Sequence, residues 1–320
     1  MAQPILKIRG VTKRFGKKLV LNDINLDIYE GELFGIIGVS GAGKTTLLEA
    51  LVGFIPLNRG EVSYRIDGHS VFEFLPLSKA PQMKKEIGFS TQDPSFYDRL
   101  TVKENLAYFA TLYNIPKQFV EQRIKKIMTL VELTGEENTL AGELSGGEQK
   151  RLDIACSLVN DPKIIIFDEP TANLDPVLRK HIGELIRKIK TLGKTVIVSS
   201  HFLEEIGILC DRLAILDNTV IAHIGTIDEL RKGYGYDKEI VLHTASRNYP
   251  KITRLLKEMP ITKAIVRGTK MIIYTKQPER VLKKLADILE KEKEDVFELS
   301  VHRPSVEEIF VSLIRQKGAP

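Results

Sequence analysis

The chain is poor in cysteine, with two in 320 residues. Cys156 in "DIACSLV" and Cys210 in "GILCDRL" form no CxxC pair and sit in apolar, helix-like surroundings. This argues against a zinc site or a disulfide framework, and both thiols are expected to be buried and reduced. Long apolar runs are missing as well: nothing approaches the roughly 20 residues that a membrane-spanning helix needs. The opening residues "MAQPILKIRG" have neither the apolar length nor the small-residue cleavage pattern of a secretory leader, so the chain is expected to stay where it is made. Internal repeats and low-complexity tracts are also absent, which leaves a single copy of each motif described below.

Hydrophobic residues make up 43% of the chain, enough to fill the core of one large or two modest domains. The formal charge of +5 could favour an anionic membrane surface or nucleic acid. Lys and Arg are interleaved with Glu, however, as in "KKLADILEKEKED". That is the pattern of solvated helix faces, and no nucleic-acid partner is expected.

Up to about residue 230, short β-branched runs alternate with helical patterns: "LFGIIG" then "KTTLLEALV", "KIIIFDEP" then "PVLRKHIGELIRKIK", "TVIVSSH" then "FLEEIGILC". Such alternation with apolar strands predicts a parallel sheet covered on both faces. Two edge-like strand candidates precede it, residues 6–11 and 19–28, and between 101 and 159 the pattern turns helical, as in "TVKENLAYFATLY". That block reads as a helical subdomain inserted in the sheet. After "DELRKGYGYDKE", whose glycines and charges mark a linker, "IVLHT", "AIVRG", "MIIYT" and "VFELSVH" alternate with helical stretches in a smaller α+β module. The expected domains are therefore 1–234 and 235–320.

"GVSGAGKT", residues 38–45, matches G-x-x-x-x-G-K-[ST] directly after an apolar run and directly before a helix. Gly38, Val39, Ser40, Gly41, Ala42 and Gly43 would curl so that backbone N–H groups and the helix N-terminus face the β-phosphate of ATP. Lys44 would neutralise the β- and γ-phosphate oxygens, the Thr45 hydroxyl would ligate Mg²⁺, and Thr46 would support the same helix start. "KIIIFDEP" ends a buried strand in Asp168 and Glu169, two carboxylates that would be costly to bury without a cation. Asp168 fits holding Mg²⁺ through water, and Glu169 fits polarising a water for attack on the γ-phosphate. His201 ends another strand, where its imidazole could contact the γ-phosphate or orient that water; the other histidines read as surface residues. Gln92 follows "IGFST" in a loop, where a lone Gln is ordinarily just solvated; its place after a strand of this sheet, where ligands collect at carboxyl ends, makes it a candidate for the cation and the reacting phosphate.

"ELSGGEQKRLDIACSL", residues 143–158, is physically a second anion site. Ser145, Gly146 and Gly147 expose a hydroxyl and N–H groups at a helix start; Ser145 alone could be an ordinary N-cap, but not the full string. The string resembles the signature of the ABC (ATP-binding cassette) ATPases, and the rest follows that family in order over residues 1 to about 230: "GVSGAGKT", Gln92, "LSGGE", "KIIIFDEP", "NLD" and His201. The resemblance implies an α/β P-loop NTPase cassette, a mixed sheet core with an antiparallel β subdomain and a helical subdomain, followed here by the small C-terminal α+β domain. In ABC ATPases two nucleotide-binding domains pair head to tail. Ser145, Gly146, Gly147 and Glu148 are then expected to act on the other subunit's nucleotide, in a homodimer or with a similar paralogue. Phe15 matches the adenine-stacking aromatic, where Tyr is more common. In "TANLD" Asn173 replaces a serine, and Asp175 is retained as the cross-interface residue. The stretch "HSVFEFLPLSKAPQMKKE" is longer and more apolar than this family leads one to expect, either as a partner contact or as a packed surface loop.

"DRLTVKENLAYFATLY" resembles the helical subdomain of exporter-type cassettes, and "HRPSVEEIFVSLI" resembles a C-terminal motif of ATPases serving separate ABC-2-type permeases. The implied partner is a membrane permease in another polypeptide, docking near Gln92 and the helical subdomain. The implied location is peripheral, on the cytoplasmic face of the cell membrane. The competing reading is a soluble ABC ATPase of DNA repair, translation or iron–sulfur assembly. Against it stand the lack of a long coiled-coil insertion, of zinc-type cysteine pairs and of a second cassette. A P-loop kinase or GTPase would leave "LSGGE" and His201 without a role.

Overall fold

The computed structural model describes residues 3–66, 73–77, 79–233 and 238–302. The chain divides between Gly225 and Thr226 into two units.

The first unit opens with β1 (Pro4–Phe15) and β2 (Lys18–Tyr29), an antiparallel pair. Next, β3 (Leu33–Ile37), buried at all five positions, runs through the phosphate loop into α1 (Lys44–Val52). Two further strands, β4 (Arg59–Ile66) and β5 (Glu73–Pro76), complete an antiparallel sheet of order β2-β1-β4-β5. Of the two strands expected at an edge, β2 is one and β1 is not, because β4 pairs with its other side. Where it is described, the unusually long stretch before residue 87 packs inward: Leu77, Ala80 and Met83 are buried in the core shared with β1 and α1.

From β6 (Ile87–Ser90) the chain passes through the loop carrying Gln92 into α2 (Val102–Leu112), α3 (Lys117–Leu130) and α4 (Gly146–Leu158). This is the expected helical block. It then alternates through β7 (Ile164–Phe167), α5 (Pro176–Thr191), β8 (Thr195–Ser200), α6 (Leu203–Leu209), β9 (Arg212–Asp217) and β10 (Val220–Gly225). The second sheet has the order β10-β9-β3-β8-β7-β6. All its pairings are parallel except that of β10 with β9. Every residue of β3, β7 and β8 is buried, as a sheet covered on both faces requires. Parallel strands put their carboxyl ends on one side, so the segments after β3, β6, β7 and β8 open along a single edge, where ligands of such sheets collect.

The second unit holds α7 (Ile227–Gly233), β11 (Lys238–Thr244), α8 (Tyr249–Leu255), β12 (Ile261–Arg267), β13 (Lys270–Thr275), α9 (Pro278–Lys291) and β14 (Val296–His302). Its antiparallel sheet has the order β12-β13-β11-β14, with a core of Ile240, Leu242, Ile252, Ile273, Leu285 and Ile288. The division places α7 in this unit. Position 235 and, apart from His302, the motif "HRPSVEEIFVSLI" lie outside the described residues. Cys156 is buried, and Cys210, at the end of α6, is half-buried as a residue with its sulfur packed against Gly35 of β3; burial pushes both thiols well above the ordinary thiol pKa. His223 and His243 are half-buried rather than on the surface.

Candidate nucleotide site

The phosphate loop is shaped by its glycines. Gly41 and Gly43 have φ of 79° and 104°, left-handed values that side chains rarely adopt. A Cβ at Gly38 would meet the Leu216 carbonyl at 2.6 Å, and one at Gly43 would meet Val20 of β2 at 3.1 Å. Gly43 is the N-cap of α1 and supplies no side-chain hydrogen bond, and the helix has no acid in its first turn. The first-turn N–H groups therefore lack the oxygen acceptor that usually caps a helix, which suits an anion. Lys44 is buried; its Nζ donates to the carbonyls of Gly38 at 2.9 Å and Val39 at 3.3 Å. Val39, Ser40, Gly41 and Thr45 are exposed, while Ala42 and Thr46 are half-buried.

The same ammonium lies 3.0 Å from Glu169 Oε1, and the other carboxylate oxygen, Oε2, lies 2.8 Å from Nδ1 of His201. Lys44 and Glu169 are both more than nine-tenths buried, so each relieves the cost of burying the other. With Glu169 ionised, the carboxylate accepts from Nδ1–H and leaves Nε2 of the imidazole for a contact outside the pair. Glu169 has φ 49°, a left-handed conformation that costs a non-glycine residue on the order of 1–3 kcal/mol. Ser199 holds it there. This buried hydroxyl accepts from the Glu169 N–H at 2.9 Å and donates to Asp168 Oδ1 at 2.5 Å. The sequence reading missed Ser199; its signal was a polar residue closing an otherwise apolar strand just before His201.

Four segments thus meet the expectation of one edge: Lys44 after β3, Gln92 after β6, Asp168 and Glu169 after β7, His201 after β8. Gln92 is exposed in its loop. Phe15 ends β1 half-exposed, with Lys13 Nζ 4.7 Å from its ring centroid, and the contact of Gly43 with Val20 seats this hairpin against the phosphate loop.

The signature and Asp175 are built differently. Ser145 is the N-cap of α4 in a capping box: its hydroxyl accepts from the Glu148 N–H and donates to Glu148 Oε2 at 2.6 Å, and the Ser145 N–H donates to that same carboxylate at 2.9 Å. The Ser145 hydroxyl, and then its N–H, hold the Glu148 carboxyl below the ordinary carboxylate range. Asp175 caps α5 by accepting from Val177 and Leu178 N–H at 2.9 and 3.0 Å. A Cβ at Gly147 would meet Leu178 at 2.8 Å, so the starts of α4 and α5 touch. Among the described residues, none of these bonds reaches Lys44, Glu169 or His201.

Residues 21–172 match the ABC transporter family. Nod factor export ATP-binding protein I of Rhizobium sp. (strain N33) is 30% identical over 313 residues, covering 98% of each chain. The chain belongs to the ABC transporter ATP-binding family. The linearmycin resistance ATP-binding protein LnrL of Bacillus subtilis (strain 168) is 28% identical over 97% of this chain and 98% of that one. Among solved structures, an ATP-binding cassette of an ABC transporter in its ADP conformation superposes with a TM-score of 0.62 at 28% identity, covering 71% of this chain and 92% of that one. A nucleotide-free cassette gives 0.63 at 26% identity, covering 72% and 94%. As an ABC cassette, the chain binds ATP and hydrolyses it.

For Mg²⁺ the available donors are oxygens: the Thr45 hydroxyl, the Asp168 carboxylate and the Gln92 amide. Among the described residues there is no group of three His, Cys, Asp or Glu able to hold a metal.

Proposed function

We propose that this ATPase subunit powers export through a separately encoded ABC-2-type permease, by closing and reopening a dimer on the cytoplasmic face of the membrane. The observation that carries the chemistry is the line Lys44–Glu169–His201 at the strand ends. Lys44 divides its donors between loop carbonyls and Glu169. A triphosphate, with more negative charge, draws the ammonium off Glu169 Oε1. That oxygen then accepts the proton of the attacking water. His201 keeps the carboxylate oriented through Nδ1 and offers Nε2 to the γ-phosphate. Residues 38–46 bind the phosphates by backbone N–H groups, and Phe15 stacks on adenine. Thr45, Asp168 and Gln92 are the residues that would hold Mg²⁺, which when bound neutralises phosphate charge.

Ser145, Gly146, Gly147 and Glu148, with Asp175, serve the nucleotide of a second subunit, a copy of this chain or a paralogue. Ser145, Gly146 and Asp175 are exposed, and their described hydrogen bonds reach neither Lys44 nor Glu169, which supports that reading. Export is supported by two relatives that match nearly the whole chain, a Nod factor export ATP-binding protein and a linearmycin resistance ATP-binding protein. No described helix is long and apolar enough to cross a membrane, so a described helix would not supply the path for the cargo. The test is affinity capture of Glu169→Gln with ATP from detergent-solubilised native cells. A polytopic membrane protein at near-equal stoichiometry is the expected result. Recovery of soluble proteins or nucleic acid alone would put the soluble ABC ATPase in its place.

A further inference from the structure

Asp153 lies in the middle of α4 with no exposed surface. A buried carboxylate is costly unless its oxygens are satisfied, and here both are. Oδ1 accepts from the Ser95 N–H at 2.9 Å and from the Ser95 hydroxyl at 2.8 Å. Oδ2 accepts from the Ser90 hydroxyl and lies 3.6 Å from Nζ of Lys150, which itself donates to the Thr91 carbonyl at 3.2 Å. Ser90 closes β6 and Ser95 lies beyond Gln92, so one side chain pins both ends of the Gln92 loop. The same helix begins at the signature Ser145, two turns or about 12 Å away. Its C-terminal half is pressed on β6: a Cβ at Gly88 would meet the Ser157 carbonyl at 2.1 Å.

We infer that Asp153 is a positioning residue that makes the Gln92 loop and the signature helix shift as one body. It thereby ties the subunit's own γ-phosphate to the signature presented to the other subunit. The inference rests on the roles proposed above for Gln92 and Ser145. Two tethers on a single carboxylate transmit displacement because neither end of the loop can move without dragging α4.

The test is steady-state ATP hydrolysis by the full chain across ATP concentrations. Asp153→Asn, which keeps the shape but loses the charge, should lower kcat about tenfold while KM stays within about twofold. Ser95→Ala, at an exposed position that spares the helix, should lower kcat about threefold, and Ser95→Thr should restore it. Combined with Gln92→Ala, Asp153→Asn should add no further loss, because both act on one step. Multiplying losses, or a raised KM at unchanged kcat, would overturn the clamp. A Gln92→Ala chain that turns over like the parent would instead remove the role of Gln92, and the inference with it. If Asp153→Asn fails to fold, the Ser95 pair decides alone: equal kcat for Ala and Thr overturns the clamp.

Discussion

Two helix starts in the first unit, those of α1 and α4, carry similar glycine-rich strings and are finished in opposite ways. At α1 the N-cap is a glycine with no side-chain bond, the first turn has no acid, and a buried lysine sits beside it. At α4 a serine and a glutamate satisfy each other across the first turn. The first terminus keeps its positive end for a ligand, whereas the second has already satisfied it from within. At α1 an arriving phosphate would meet first-turn N–H groups that no side-chain cap and no first-turn acid satisfies. At α4 it must displace Glu148 or meet the N–H groups beside it, which suits a site engaged late, by an incoming subunit.

The largest effect should come from the carboxylate that shares Lys44. Glu169→Gln should cut ATP hydrolysis by about 10²–10⁴-fold, the span attributed to a positioned general base, while ATP binding persists. Single-turnover hydrolysis near the parent rate would remove Glu169 from the mechanism. Next is Lys44→Ala, which takes the cation from both α1 and Glu169. Nucleotide affinity should fall about 100-fold, or about 2.7 kcal/mol, and calorimetry with ATP checks it. Unchanged affinity would erase the contrast between the two helix starts.

At α4 the expected losses are smaller. Ser145→Ala removes a cap and should cost about 1 kcal/mol of stability, read by denaturant unfolding, together with slower hydrolysis. The cap also predicts a dependence on pH. Glu148 has its carboxyl pKa lowered in the folded chain by Ser145. Its contribution is therefore present above the ordinary carboxylate range and is lost as pH falls through the lowered value. Hydrogen-exchange protection of residues 146–149 should weaken as pH falls below the ordinary carboxylate range, and Glu148→Gln should abolish that acid limb. The first turn of α1, having no acid, offers no counterpart. A parent chain whose α4 start shows no such limb would mean that the capping box does not form in solution.

Much of this contrast could be read in the sequence, but not its sign. "GVSGAGKT" and "LSGGE" both announce N–H groups at a helix start, and strand-ending Asp168, Glu169 and His201 stand out because polar residues follow apolar runs. What a linear reading lacked was who satisfies whom. Ser145 looked like an open hydroxyl, yet Glu148, three residues on, lies within one turn and closes the box. Ser199 and Asp153 were hidden for a related reason. Each is a polar residue in an apolar segment, and its meaning depends on partners thirty or more residues away in sequence, Asp168 and Glu169 for Ser199, Ser90 and Ser95 for Asp153. The boundary expected at 235 came from composition, whereas the division at Gly225 follows which residues pack together.

The finest test separates two neighbouring glycines of the signature. A methyl at Gly147 would press on Leu178 at 2.8 Å, against the flexible end of a side chain, so Gly147→Ala should cost about 1 kcal/mol or slightly more. A methyl at Gly146 meets nothing within 4 Å. Ala restricts the unfolded chain more than Gly, so Gly146→Ala should leave stability equal or raise it by up to about 1 kcal/mol. If the exposed side of α4 closes on another subunit's nucleotide, that same methyl stands in the interface and should slow hydrolysis despite the intact fold. Melting temperature and turnover would then move in opposite directions at Gly146 and in the same direction at Gly147. Full turnover in Gly146→Ala would leave the α4 start as a capped helix end and nothing more.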